Sequence, residues 1–320
     1  MEVIFEPPNL KQELDALFKF CKEYEIEIEL DHYYYPVEEG DDEEELDNNR
    51  PVKPINYNTS VKLWLPRATY DYDCNLNYIL EIVNEAKNGE IMGNFKFIGL
   101  NTALIRIDTD NWGLFNRIYE ISNLKSSISV SQKIYTLEII HGLTSFGILL
   151  TIEGKFSKYV PPVDSDDVFI LISCPDGIEN EVIDKLFNSY VFELRSTLGL
   201  ELHIGVRPDY DPWEEVEPEN LENPIEVKLR PLIYGKGINE LLEIYNSSSN
   251  SHTPENLILA YTRVIEYVSQ TVIRKDLIEK TVNKLSSPRA LTPDANYILE
   301  LGKIYEEHRN TNQKDFLLLD

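Results

Sequence analysis

The spacing of apolar residues predicts a helix at the start of the chain and a strand directly after it. The apolar positions of residues 10–23 recur every three to four residues, as on one face of a helix; they are Leu10, Leu14, Leu17, Phe18 and Cys21. Residues 24–30 read Tyr-Glu-Ile-Glu-Ile-Glu-Leu, which alternates strictly. This alternation predicts a strand with one apolar and one acidic face.

The middle of the chain alternates between strand and helix patterns. Strands are predicted over residues 61–65, 95–98, 103–107, 134–140 and 146–152, and helices over residues 76–87 and 112–121. The order strand-helix-strand-strand-helix-strand is that of a split βαβ, or ferredoxin-like, sandwich. We therefore predict an α+β fold with a mixed sheet that contains ferredoxin-like or βαβ elements.

Residues 168–172 form a continuous apolar run, which is typical of a strand that is buried on both faces. A helix is predicted from Ile178 to Leu198, and Gly199 ends it. A second strand is predicted over residues 200–206. If the two strands are neighbours, a right-handed βαβ crossover joins them.

A proline-rich acidic segment divides the chain. Residues 207–224 contain four prolines and seven acidic residues, and proline interrupts both helices and sheets. We therefore predict an acidic α/β domain over residues 1–206, a linker over 207–224 and a helical bundle over 225–320. In this last part, two Thr-Pro pairs mark helix starts. One apolar helix face there comprises Leu257, Tyr261, Val264, Val268 and Val272.

The negative charge is concentrated in the predicted α/β domain and linker. The net charge is −26; residues 1–224 hold 43 acidic and 18 basic residues, whereas residues 225–320 hold 13 and 12. Such a surface repels nucleic-acid backbones and favours cationic partners. The densest run lies in an acidic loop over residues 36–55. It is either a solvated loop or a site for a protein with a basic surface, bound through Glu43, Glu44 and Glu45.

The composition favours a cytoplasmic protein. No apolar run approaches the roughly 18 residues of a membrane span, so no membrane partner is expected. The first residues carry no positive charge of the kind that begins a secretory signal. The chain has three cysteines, too few and too scattered for a disulfide framework.

Motifs for metal, cofactor or phosphate binding are absent from the sequence, and we predict no metal and no cofactor. Cys174 follows a buried strand, where sites form in α/β sheets, and we name it with Asp176 and His203 as candidate catalytic residues. These candidates require that the three residues converge on one pocket; otherwise Cys174 is a buried structural thiol. The lack of catalytic motifs favours a binding function over an enzyme.

A group of basic residues in the C-terminal third is a candidate nucleic-acid surface. It comprises Arg274, Lys275, Lys280, Lys284 and Arg289. Helical spacing places several of these cations on one side of a helix. The alternative is an exposed helix flank whose charges pair with the acidic domain.

Three segments of the C-terminal third, residues 230–234, 261–268 and 287–291, resemble parts of HEPN-like helical bundles of prokaryotic defence and toxin proteins. The resemblance implies a bacterial defence context. Ribonucleases of that family carry an Arg, then four to six residues, then a His. No histidine of this chain follows an arginine at that spacing, so no catalytic residue is carried over.

From these patterns we expect a non-catalytic sensor or scaffold subunit of a prokaryotic antiviral defence complex that binds a protein partner. One alternative is a HEPN-like ribonuclease toxin. The other is an acidic inhibitor that mimics nucleic acid.

Overall fold

The protein has an α+β fold, in a computed structural model that describes most of the chain. The described residues are 4–31, 54–68, 70–108, 112–122, 124–157, 159–164, 167–205, 225–235, 238–248 and 254–316. Within these ranges the side chains of residues 112, 113, 115, 122, 248, 270–274, 276 and 307–316 are not described. The acidic loop up to residue 53 and the linker over 207–224 lie outside the described residues.

Eight α-helices are present in the described residues: α1 (Leu10–Glu23), α2 (Leu76–Asn88), α3 (Trp112–Glu120), α4 (Ser145–Ile152), α5 (Asn180–Leu198), α6 (Ile238–Ser248), α7 (Pro254–Leu285) and α8 (Ala295–Phe316). A short 3₁₀-helix over Pro288–Ala290 lies between α7 and α8. The strands are β1 (Glu27–Leu30), β2 (Ser60–Trp64), β3 (Tyr72–Asn75), β4 (Glu90–Met92), β5 (Lys96–Ile98), β6 (Thr102–Arg106), β7 (Ile121–Ser122), β8 (Ser126–Val130), β9 (Lys133–His141), β10 (Val168–Ser173) and β11 (Ile225–Glu226).

Strand β10 lies inside a six-stranded sheet with the order β4-β5-β6-β10-β9-β8, in which every neighbouring pair is antiparallel. Its central Ile170 stands opposite Ile105 of β6 and Ile139 of β9. Phe169 joins an apolar cluster with helices α1, α2 and α4, while α5 also contacts the strand. The prediction that residues 168–172 are a strand buried within the sheet is therefore confirmed.

A second sheet contains three strands in the order β1-β2-β3. Residues 27–30 alternate between exposed glutamates and half-buried apolar residues, as the sequence predicts. Strand β2, however, pairs with β1 and β3 and not with β5 or β6. The predicted order of elements is present but is divided between two sheets, so it does not form one ferredoxin-like sandwich.

Residues 146–152 form helix α4 and not the predicted strand. Almost all residues of α4 are buried, so the segment is apolar on every side and has no periodicity that separates helix from strand. Its Gly147 has a packing role, because an added Cβ would lie only 2.0 Å from Cγ2 of Val163. The hydroxyl of Thr151 donates to the Gly147 carbonyl at 2.9 Å.

The predicted strand over residues 200–206 and its βαβ crossover are also wrong. Of the described residues 200–205, only Ile204 forms a bridge, an antiparallel one to Ile107. The crossover requires residues 200–206 to pair with β10, but β10 already has β6 on one side and β9 on the other, so both of its hydrogen-bonding edges are occupied. Helix α5 does end at Leu198, where Gly199 adopts φ +67° as a left-handed cap.

The chain divides into two units, a first unit over Met1–Ile233 and a second unit over Tyr234–Asp320. Residues 225–233, which the proline-rich boundary assigns to the second part, belong to the first unit in the structure. There β11 pairs with β7, and the Ser189 hydroxyl donates to the Ile233 carbonyl at 2.6 Å. Short segments of this kind carry no periodicity, so their contacts alone reveal where they belong.

The buried carboxylate of Glu193 on α5 binds the segment of residues 225–233. Glu193 is 3% exposed, and it accepts hydrogen bonds from the Arg230 backbone N–H at 2.7 Å and from the Thr197 hydroxyl at 2.6 Å. The Arg230 guanidinium also pairs with it, at 3.1 Å. Burial raises the pKa of Glu193, but the hydrogen bonds from Thr197 and Arg230 outweigh burial and lower the pKa overall.

Candidate protein-interaction surface

Helix α7 is the organising element of the second unit, since both α6 and α8 contact it. The rings of Tyr245 on α6 and Tyr261 on α7 lie 6.3 Å apart. Tyr297 of α8 donates its hydroxyl to the Lys284 carbonyl of α7 at 2.9 Å. Leu242 and Tyr297, each 2% exposed, are the only buried apolar side chains among the described residues of this unit.

One stripe of α7 is apolar and open to solvent. It consists of Ile258, Tyr261, Ile265 and Val268, which are 66%, 40%, 55% and 42% exposed. Their spacing of three, four and three residues places them on one helix face. This is the spacing with which a helix packs against another helix in a coiled-coil interface. We call these four residues the α7 stripe.

Charged residues are scarce around the α7 stripe. Between residues 256 and 273 only Arg263 and Glu266 are charged, in a chain whose charged fraction is 27%. Arg263 stands two positions after Tyr261, and Glu266 one position after Ile265. At 100° per residue, both point away from the stripe. Within residues 256–273, the helix therefore presents no charged side chain on the face of the stripe.

Exposed apolar residues continue beyond the α7 stripe. The second half of α7, the following loop and α8 also expose large apolar side chains, each at least half exposed: Ile278, Val282, Leu285, Leu291, Ile298, Leu299 and Tyr305. Single exposed apolar residues are ordinary, whereas contiguous ones mark interaction surfaces.

The basic residues that the sequence groups as a nucleic-acid surface mostly pair within the second unit. Lys284 forms an ion pair with Glu300, and Arg289 pairs with Asp294 at 3.0 Å. Lys275 lies 4.0 Å from Glu279. Lys280 is exposed, and the side chain of Arg274 is outside the described residues. The paired cations meet carboxylates of their own unit.

The pKa values of these carboxylates agree with that pairing. The backbone N–H of Tyr297 and the guanidinium of Arg289 lower the pKa of Asp294, and the hydrogen bond from Lys284 lowers the pKa of Glu300. Asp294 also caps α8, since it accepts the Tyr297 N–H at 2.7 Å.

The three candidate catalytic residues do not converge. Cys174 is fully buried just beyond one end of β10, and Asp176 is exposed in the turn that follows. The carbonyl of His203 accepts the Asp108 N–H at 2.9 Å, beside the end of β10 that begins with Val168. Strand β10 has six residues and spans about 17 Å, so Cys174 and His203 lie near its two opposite ends.

The buried charged groups of the first unit contact other protein groups. Glu85 accepts the Thr102 hydroxyl at 2.9 Å. Arg106 forms an ion pair with Asp167 at 3.3 Å, and its guanidinium stacks 4.6 Å from the ring of Phe146. These contacts tie loops and strand ends to the sheet, which gives these groups a structural role.

The acidic loop, metal binding and membrane spans are the remaining points that the sequence raises. Glu43, Glu44 and Glu45 lie outside the described residues. Among the described residues, no three His, Cys, Asp or Glu side chains form a group that could hold a metal ion. None of the described helices is both long enough and apolar enough to cross a membrane.

Comparison with protein-family models, with curated proteins and with solved structures gives no match for this chain.

The α7 stripe is not predicted from the sequence as a binding surface, although part of its apolar pattern is visible there. Tyr261 and Val268 appear in the apolar face that the sequence assigns to this helix. Of that face, Leu257 and Val264 are half-buried, whereas Tyr261 and Val268 are exposed. Periodicity shows that a face is apolar, but it does not show what covers the face.

Proposed function

We propose that the protein is a non-catalytic scaffold subunit that binds a partner protein through the α7 stripe. The occupant we propose is an amphipathic helix of the partner, laid along α7 with its own apolar residues between Ile258 and Val268. The observation that carries the proposal is this exposed, uncharged stripe with helix-packing spacing.

The weak core of the second unit supports this function. A helix gains most of its stability by burying an apolar face, and few apolar side chains of this unit are buried. A partner helix would bury the stripe and stabilise the unit. The separation of Cys174 from His203 supports binding over catalysis, because it removes the pocket that the catalytic hypothesis requires.

The finer features of the proposal rest on the sequence. We propose that the second unit is a helical bundle of HEPN-like type and that the scaffold acts as a sensor or assembly subunit in prokaryotic antiviral defence. The resemblance of residues 261–268 and 287–291 is the support for this context. A basic surface on the partner would complement the acidic first unit.

The two alternatives stay hypotheses. A HEPN-like ribonuclease requires an Arg and a His at a spacing that this sequence does not contain. An acidic inhibitor that mimics nucleic acid depends on Glu43, Glu44 and Glu45, outside the described residues. Neither alternative uses the α7 stripe.

The experiment is site-specific photo-crosslinking in the native host. A photo-reactive amino acid replaces Ile265 in the full chain, and in a control chain it replaces Leu100, an apolar residue of the first unit with similar exposure of 48%. Crosslinked peptides are then identified by mass spectrometry. We expect one foreign protein, crosslinked through an apolar face of a helix, from position 265 and not from position 100.

With the photo-reactive residue kept at position 265, Ile258→Asp should abolish that crosslink, whereas Leu100→Asp should leave it unchanged. In the chain without the photo-reactive residue, the double variant Ile258→Asp with Ile265→Asp should abolish co-purification of the same protein, and Leu100→Asp should not. If the crosslinks from position 265 lead to this chain's own peptides, or match those from position 100, the proposal is wrong.

A further inference from the structure

The edge strands of the two larger sheets differ in how they are protected. An exposed sheet edge pairs readily with another strand, and charged residues on the edge prevent this. The edge strands β1, β3 and β4 carry carboxylates: Glu27 and Glu29, Asp73, and Glu90, respectively. Strand β8, at the other end of the six-stranded sheet, reads Ser-Ser-Ile-Ser-Val and carries no charge.

The backbone of β8 offers its hydrogen-bonding groups outward at Ser127 and Ser129. The hairpin to β9 closes through Ser131 and Gln132, both with positive φ, as in a two-residue type I′ turn. In such a hairpin the flanking residues form a hydrogen-bonded pair, and the pattern then alternates along the strand. Ser127 and Ser129 therefore direct their N–H and C=O groups away from β9.

The surroundings of this edge are accessible and electrically balanced. Ser127 and Ser129 are exposed, and Ile134, opposite Ser129 on β9, is 61% exposed. The two nearest lysines already have partners: Lys125 lies 3.2 Å from Glu138, and Lys133 lies 2.8 Å from Glu179. A strand added here meets neither a carboxylate row nor an unpaired ammonium group from these two lysines.

We propose that a second copy of this chain pairs with β8, antiparallel and about a two-fold axis, to form a continuous twelve-stranded sheet. The sequence of β8 fits this partner because it is nearly symmetric about Ile128. In the symmetric register Ser127 stands opposite Ser129 of the second copy, and Ser129 opposite Ser127 of the second copy. These two pairs exchange four backbone hydrogen bonds and place only hydroxyls opposite each other.

The charge of the chain explains why this edge, and not another, would pair. Two copies with a net charge of −26 repel each other, and β1, β3 or β4 would bring further carboxylates together. At β8 the local charges are paired, so the remaining repulsion is long-range and is screened by salt. The dimer should therefore tighten as salt is added, opposite to an interface held by ion pairs.

The test measures the mass of the full chain in solution by sedimentation at micromolar concentration, across a range of salt. We expect a dimer that strengthens at least several-fold from low to physiological salt. Ser129→Pro removes the outward N–H that the second copy would bind, so it should give a monomer. The variant should still fold, because proline is tolerated on an edge strand at a position whose N–H faces solvent. Ser129→Thr keeps the N–H and should remain dimeric.

A charge-swap pair keeps the proposal testable if the proline variant does not fold. The variant with Ser127→Lys and Ser129→Lys should be monomeric, and so should the variant with both serines changed to Glu. An equimolar mixture of the two should form a heterodimer, because each lysine then faces a glutamate. A monomeric wild-type chain, a dimeric Ser129→Pro variant or no heterodimer would overturn the proposal.

This inference does not depend on the α7 stripe, and two variants separate the β8 dimer from binding of the foreign partner. Ile258→Asp with Ile265→Asp should lose the foreign partner and keep the β8 dimer, whereas Ser129→Pro should lose the dimer and keep the partner. A dimer lost through the α7 variant instead would place the self-interaction on the second unit and contradict the β8 assignment.

Discussion

The two units of this chain differ in how far their apolar side chains are buried. In the first unit, strand β10 is covered by neighbouring strands and helices, and Phe169 and Ile170 are at most 1% exposed. In the second unit, Ile258 and Ile265 are more than half exposed on a 32-residue helix. The first unit therefore has a closed core, whereas the second presents much of its apolar surface outward.

The charge distribution follows the same division. Residues 234–320 hold 12 acidic and 10 basic residues, so nearly all of the net charge belongs to the first unit. Charge keeps a closed domain soluble and deters unwanted contacts. A nearly neutral unit with an apolar stripe has the properties of a binding surface. The difference supports the proposal of a scaffold whose second unit is completed by a partner.

The largest effect should come from the closed core. Phe169→Ala removes a fully buried ring that lies 5.3 Å from the ring of Phe146, and it should lower the free energy of unfolding of the first unit by about 3–5 kcal/mol. All three tryptophans lie in that unit, so tryptophan fluorescence in urea follows it selectively. A loss below about 1 kcal/mol would show that the core can collapse around the missing ring.

An intermediate effect should come from the carboxylate that holds residues 225–233. Glu193→Gln removes the charge that Arg230 and Thr197 meet, and at pH 7 it should cost the first unit about 1–2 kcal/mol. The folded pKa of Glu193 lies below its unfolded value of about 4.3. The contribution of the charge is therefore complete above about pH 4.5 and disappears as pH falls through the folded pKa.

Urea titrations followed by tryptophan fluorescence at several pH values would show this dependence. The difference between wild type and Glu193→Gln should be constant near neutrality and shrink below about pH 4.5. A difference that stays constant in acid, or grows there, would show that the ionised carboxylate does not stabilise the folded unit.

The smallest effect on stability should come from the α7 stripe. Ile265→Ala removes an exposed side chain, so it should change the stability of the second unit by less than about 0.5 kcal/mol. Circular dichroism at the helix minimum follows the helices of both units, whereas tryptophan fluorescence follows the first unit alone, so a transition seen only by circular dichroism belongs to the second unit. Phe169→Ala is the contrasting core variant. A loss above about 2 kcal/mol would show that Ile265 is buried in solution, and it would remove the difference between the two units.

The sequence predicts the local elements of the fold well where a pattern has a clear period. The helix over residues 76–87, the alternating strand near Ile28 and the left-handed cap at Gly199 are all confirmed. In each case the signal is local, because side-chain spacing or backbone freedom within a few residues decides the conformation.

The predictions that are wrong depend on distant contacts. Residues 146–152 are apolar on all sides, and burial on all sides suits a helix as well as a strand. The described residues 200–205 cannot pair with β10, because β6 and β9 occupy both of its edges, and β2 joins a different sheet from β5. For the candidate site, the sequence names Cys174 and His203, and the structure separates them by the length of β10.

The amino-acid sequence by itself determined the positions of most helices and strands, the asymmetry of charge and the presence of an apolar face on α7, because each of these depends on residue type and spacing. Only the tertiary structure decided which strands pair, that β8 is an edge strand among the described residues, and which apolar residues are covered. Those properties depend on what occupies the neighbouring space, and a residue's chemistry does not specify its neighbours.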